Sequence, residues 1–137
     1  MFGIQPGDRI LDLNAGDGQA SRDLAVQVPM GVLVGLVSGL DLLHQARANT
    51  RELDNTFFVE AEPHQIPWKE DYFSHAIARR QLDAAALREV YRVLAEGGLV
   101  FLPVGEESML HEAGFVDIKT ADGWLTGRKA RPTTAAG

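Results

Sequence analysis

The chain has 137 residues, enough for one domain with a substantial core and little room for a second. With 45% apolar residues, 23% charged residues, a net charge of −6 and a pI near 5.1, it has the composition of an ordinary globular protein. The acidity argues against a nucleic-acid backbone or an anionic membrane as partner, and the absence of cysteine excludes disulfides, thiolate chemistry and Cys-based zinc sites. The opening Met1-Phe2-Gly3-Ile4-Gln5-Pro6 lacks a basic region and an apolar signal core, and no apolar run is long enough to span a bilayer, so a cytoplasmic location is expected.

Short apolar runs predict strands at Ile10–Leu13, Val32–Val37, Phe57–Val59, His75–Ala78, Leu99–Val104, Val116–Ile118 and Trp124–Thr126. Runs apolar on both faces suit strands buried between helix layers, hence a mainly parallel sheet. The first run leads through a glycine-bearing turn into a helix-like segment, Gln19–Val28. After the second run, Ser38 as N-cap with Asp41 at the third helical position predicts a capping-box start to the next helix. Asp83–Glu96 is the clearest amphipathic stretch, with Leu87, Val90, Tyr91 and Leu94 at i, i+3, i+4 and i+7, and Gly97-Gly98 is placed to stop it. Glu106–Ala113 repeats the pattern in miniature, burying Met109, Leu110 and Ala113 before Gly114. Alternation of this kind predicts a doubly wound α/β domain over residues 1–128, followed by a disordered tail over 129–137.

Arg9–Gly18, Arg-Ile-Leu-Asp-Leu-Asn-Ala-Gly-Asp-Gly, carries the most specific signal. An apolar strand, an acid and a glycine turn before a helix open a nucleotide-binding α/β unit, because the turn lets a ligand approach bare backbone. The stretch resembles the first motif of class I S-adenosylmethionine (SAM) methyltransferases, with Asn14 in place of its first glycine. Further segments match in order: Gly31–Arg47, the Ala61-Glu62-Pro63 … Ile66-Pro67-Trp68 … Tyr72-Phe73-Ser74 region, Ala86–Leu102, Leu110–Ile118 and Gly123–Lys129. The resemblance is to the small-molecule "type 11" branch. It implies a Rossmann-like fold with a seven-stranded sheet of order 3-2-1-4-5-7-6, helices on both faces, and the family's usual N-terminal helices missing.

The same resemblance assigns a cofactor site, and several of its positions depart from the pattern. Asp12 stands at the acid that fixes the methionine end of SAM; it reads equally as a strand-end carboxylate capping turn amides. Asn14, Ala15, Gly16 and Gly18 form the turn, in which Gly16 and Gly18 retain the bare backbone. Val37 occupies the position of the acid that grips the ribose, and valine accepts no hydrogen bond; Val37→Asp is expected to improve SAM binding where the rest of the pocket survives. Ser38 follows it. Glu62 falls at the acid that accepts from the adenine amine, or is an exposed loop carboxylate. Pro63 lacks the N–H its position normally offers the ring. Ser74 replaces an acid of the fourth motif, and no amine-methylation motif follows that strand. Arg79 and Arg80 read as a solvated charge pair, the alternative being an anion site. His44, His64, His75 and His111 lack metal-ligand spacing and read as surface or packing residues, so no metal site is expected.

Two functions follow. The first is a methyltransferase-like protein with an eroded SAM site, weak or inactive, serving as a binding or assembly module. The second is a minimal SAM-dependent enzyme acting on a small-molecule substrate and completed by a second subunit. Apolar surface left by the missing N-terminal helices predicts a homodimer or a protein partner.

Overall fold

The computed structural model describes residues 2–105 and 107–131. In chain order the elements are β1 (Arg9–Asp12), α1 (Gln19–Ala25), β2 (Val32–Val37), α2 (Leu40–Asn49), β3 (Thr56–Glu60), β4 (Phe73–Ile77), α3 (Ala84–Val93), β5 (Leu94–Pro103), α4 (Glu107–Ala113), β6 (Phe115–Ala121) and β7 (Trp124–Lys129). The strands form one seven-stranded sheet in the order β3-β2-β1-β4-β5-β7-β6. Strands β1 to β5 run parallel, and β7 enters antiparallel between β5 and β6. This is the expected topology, and it sets β1 between β2 and β4, where the strand order reverses and ligands bind.

Residues on the two sheet faces form two separate apolar clusters. Leu24 and Ala25 of α1 and Leu43 and Ala46 of α2 pack with Ile10, Leu33, Val37 and Phe58 on one face. Ala86, Leu87, Val90 and Val93 of α3, with Leu110 of α4, pack with Leu11, Val34, Ala76 and Val100 on the other. Strand positions alternate between the clusters because successive side chains point to opposite faces. That two-sided burial is why the central strands read as unbroken apolar runs.

Three local expectations are corrected. Helix α3 ends at Val93, before Gly97-Gly98: Leu94 turns extended, is fully buried and pairs with Phe73 at the start of β5. Gly97 takes its left-handed conformation (φ 79°) inside that irregular strand start, where it caps no helix. The capping box of α2 is not made either, since Gly39 (φ 97°) is the N-cap and no side chain bonds the first-turn amides. Helix α1 stops at Ala25, and Val28 reaches the core from a tight turn in which its N–H donates to the Ala25 carbonyl. The predicted tail overlaps β7 at Lys129, whose Nζ donates to the Leu94 carbonyl, while residues 132–137 lie outside the described residues.

Among the described residues no helix precedes β1, and the N-terminal segment lies on the sheet instead. The Phe2 ring packs edge-on against Phe101 at 4.8 Å and Trp124 at 5.2 Å, and its carbonyl accepts from His75 Nε2 at 2.9 Å. Beyond Phe2, a hollow of about 600 Å³ remains open over β5, β7 and β6, walled by Leu99, Phe101, Ile118 and Trp124.

Candidate functional site

The carboxyl end of β1 is held by its neighbours on both sides. Leu13 N–H donates to the Ile77 carbonyl of β4 and Ala15 N–H to the Leu36 carbonyl of β2, so the turn after Asp12 rises between the two strands. Gly16 (φ 56°) and Gly18 (φ 88°) then swing the chain into α1. Gly18 is required twice, because a Cβ there would also lie 2.9 Å from the Ala46 Cα of α2. Asn14 is not among the positive-φ residues; its N–H donates to Asp12 and its side-chain oxygen accepts from the Arg79 N–H.

Above this turn lies a cleft of about 380 Å³. Asn14 and Gly16 of the turn line it together with Leu36, Ser38 and Leu42, the Ala61-Glu62-Pro63 segment, and Arg79 and Arg80. The expected turn, Ser38, Glu62 and Pro63 are thus brought together at one opening. Asp12, Ala15, Gly18 and Val37 do not line it. Ala15 is buried in the apolar cluster beneath, and Val37, 1% exposed, faces the same cluster. Beyond Val37, the end of β2 presents Ser38, whose Oγ donates to Glu62 Oε1 at 3.1 Å. Glu62 is therefore exposed but tethered.

Asp12 is the centre of the arrangement and is fully buried. One carboxylate oxygen accepts from Ser21 Oγ at 2.7 Å; the other accepts from Asn14 N–H at 3.2 Å and from the Arg79 guanidinium. Arg79 is doubly fixed, since its own N–H donates to Asn14 Oδ1 at 2.7 Å. It is thus not the solvated partner of Arg80 that the sequence suggests, but the counter-ion of a buried acid. Its side chain is 32% exposed on the cleft side. Arg80 is exposed and has no bonded side-chain partner among the described residues.

A carboxylate offers about four acceptor positions, and three of Asp12's are taken by protein donors with no face open to water. Val37 offers no acceptor and Pro63 no N–H, so at these two expected positions the side chain and the backbone, respectively, supply no hydrogen bond to a SAM-like cofactor.

The histidines are not brought together. His44, His64 and His111 are exposed, whereas His75 is 5% exposed beneath Phe2, stacked near Phe101 and with Nδ1 2.9 Å from Ser74 Oγ. Burial lowers its pKa below 6.5, against opposing contributions from Asp8 and the Phe2 carbonyl. Ser74 ties β4 to β1, accepting from Arg9 N–H and reaching the Arg9 carbonyl, both at 3.0 Å. Sequence reasoning missed Ser21 and the role of Arg79. The available signals were a serine on the apolar side of α1 and a charge placed immediately after a buried strand.

The sheet order and the glycine turn define a class I methyltransferase fold. Residues 10–98 match the family described as "Methyltransferase domain", and the chain belongs to the class I SAM-dependent methyltransferase family. It is 33% identical over 110 residues to the malonyl-[acyl-carrier protein] O-methyltransferase of Halorhodospira halophila, covering 76% of this chain but only 37% of that enzyme. Among solved structures, a chain of the complex between the Haloferax volcanii Trm112 methyltransferase activator and its methyltransferase superposes with a TM-score of 0.79. It is 19% identical, and the match covers 95% of this chain and 86% of that one. The [4+2]-cyclase SpnF superposes with a TM-score of 0.74 at 23% identity, covering 85% of this chain and 54% of that one. Likeness at that level establishes the fold alone.

Proposed function

We propose that this chain is a methyltransferase-fold protein whose cofactor site has been converted to structural use, so that it transfers methyl groups weakly or not at all and works as a binding or assembly module. The observation that carries the reading is the commitment of Asp12 to Ser21, Asn14 and Arg79. An acid already bonded and buried stabilises the turn and has little left to offer a ligand. The lost ribose acceptor at Val37 works in the same direction, because one charged hydrogen bond contributes about 1.5–3 kcal/mol, or roughly ten- to over a hundredfold in affinity.

Thermal unfolding with added SAM tests this. A ligand at a hundred times its dissociation constant stabilises a fold by about 2.7 kcal/mol. Millimolar SAM is expected to leave the transition unmoved, and a shift of several degrees overturns the reading. A second reading, a minimal enzyme acting on a small molecule and completed by another subunit, is favoured by the hollow of about 600 Å³ left over β5, β7 and β6. The Haloferax volcanii chain, which is solved with an activator, is the precedent for such help. A homodimer is the simplest cover for that hollow, because a two-fold axis buries it twice. Sedimentation at micromolar concentration is expected to show twice the chain mass; a monomer throughout the range removes the dimer.

A further inference from the structure

The sequence alone draws attention to the acid of the first motif, whereas the structure draws it to the base bonded to that acid. Asp12 would normally give the cleft its negative floor. Here the Arg79 guanidinium cancels that charge from the cleft side, and Arg80, with no bonded partner among the described residues, stands beside it at the mouth. The acid that remains at the opening, Glu62, is tethered by Ser38. The lining therefore holds two kinds of residue: apolar Leu36, Leu42 and Pro63 beside the Ser38–Glu62 pair, and two arginines, of which Arg79 is paired with Asp12 and Arg80 has no bonded partner among the described residues.

SAM is a poor occupant of such a lining. SAM carries a sulfonium and an ammonium against one carboxylate and is positive overall, whereas a nucleoside monophosphate is negative overall, so arginines at the cleft favour the phosphate. Resting on the proposed loss of SAM use, we infer that Arg79 is the specificity-determining residue of the cleft. It selects a nucleoside whose 5′ substituent is anionic, such as a nucleoside monophosphate, with the base on the apolar residues and the phosphate against Arg79 and Arg80. Arginine suits this role: one edge of its planar fork holds Asp12 while other N–H groups stay available to a phosphate.

The wild-type chain is titrated in low salt with adenosine 5′-monophosphate, adenosine, S-adenosylhomocysteine and SAM, following the backbone amides of Gly16, Ser38 and Glu62 by NMR. The monophosphate is expected to bind at least about tenfold more tightly than SAM, with adenosine and S-adenosylhomocysteine between them. Its advantage over adenosine should shrink as salt is raised. Arg79→Met should cost the monophosphate about tenfold while leaving adenosine within about twofold. Because that variant leaves a buried acid unpaired, Arg80→Gln, at an exposed position, repeats the test with a smaller loss of the same sign. SAM binding as tightly as the monophosphate overturns the inference, as does an unchanged monophosphate-to-adenosine ratio in both variants. No response to any of the four compounds also overturns it while leaving the proposed loss of SAM use standing. A large SAM-induced thermal shift instead strikes that earlier reading.

Discussion

If Asp12 and Arg79 form a structural unit, a double-mutant cycle will reveal it. Arg79→Met keeps most of the apolar stem and removes the charge, leaving Asp12 fully buried with only Ser21 and Asn14 as donors. Breaking a buried ion pair from one side costs about 3–5 kcal/mol. The Arg79 side chain is 32% exposed, so water can take up part of its role, and we expect a loss of about 2–4 kcal/mol. Asp12→Asn keeps one acceptor for the Asn14 amide and releases Arg79 toward solvent, at an expected cost of about 1–2 kcal/mol. The double variant buries a neutral amide with no opposing base, so its loss should fall short of the sum by about 1–3 kcal/mol. Urea unfolding at 25 °C measures all four proteins. With a slope of about 2 kcal/mol per molar, the Arg79→Met midpoint should fall by about 1–2 M. Additivity within about 0.5 kcal/mol would mean that the contact is a screened surface pair and that Asp12 is free for a ligand.

Three further outcomes follow from the same geometry. Gly18→Ala meets both a left-handed φ of 88° and the Ala46 Cα at 2.9 Å, so it should cost about 2–5 kcal/mol in thermal unfolding; a midpoint equal to wild type would show that α1 and α2 separate freely. Val37→Asp, which the sequence suggests as a repair of the ribose contact, instead places a carboxylate in the α1–α2 cluster. It should lose at least the roughly 1.5–3 kcal/mol of the valine's burial and gain no SAM binding, and a stable variant with a new SAM-dependent shift would show that the side chain reaches the cleft. For His75 the folded pKa lies below 6.5, so the unfolded chain takes up its proton first. Its contribution to stability is complete above that value and is lost as pH falls through the folded pKa, and His75→Gln should flatten the dependence in pH-stepped urea melts.

Much of the architecture is legible in the residues because burial on both faces leaves a simple signature. Val32–Val37 is bounded in the structure as its apolar run suggests, since every position but the first is fully enclosed between helix layers. The misreadings occur where a residue has two ways to reach the core. Leu94 continues the apolar stripe of α3 by spacing, yet it is buried by leaving the helix and pairing with Phe73, which moves the helix end to Val93 and Gly97 into the strand. Ser38 satisfies the local pattern of a capping box, but Glu62, 24 residues away, is a charged acceptor within 3.1 Å, and the long-range bond prevails over the local one.

The cleft was legible in its backbone and illegible in its charge. Turn glycines and strand ends follow from local sequence, because φ and strand pairing depend on residues a few positions apart. The state of Asp12 depends on Ser21 of α1 and on Arg79, 67 residues later and one strand across. An ion pair of that kind leaves no trace in periodicity. It bears directly on the proposed function: bonded to Ser21, Asn14 and Arg79, Asp12 serves the fold. On that proposal the chain keeps the sheet order, the turn and the strand-end acid while giving up the family's use of that acid. Arg79 is accordingly the first residue to change in deciding whether the cleft binds and what it binds.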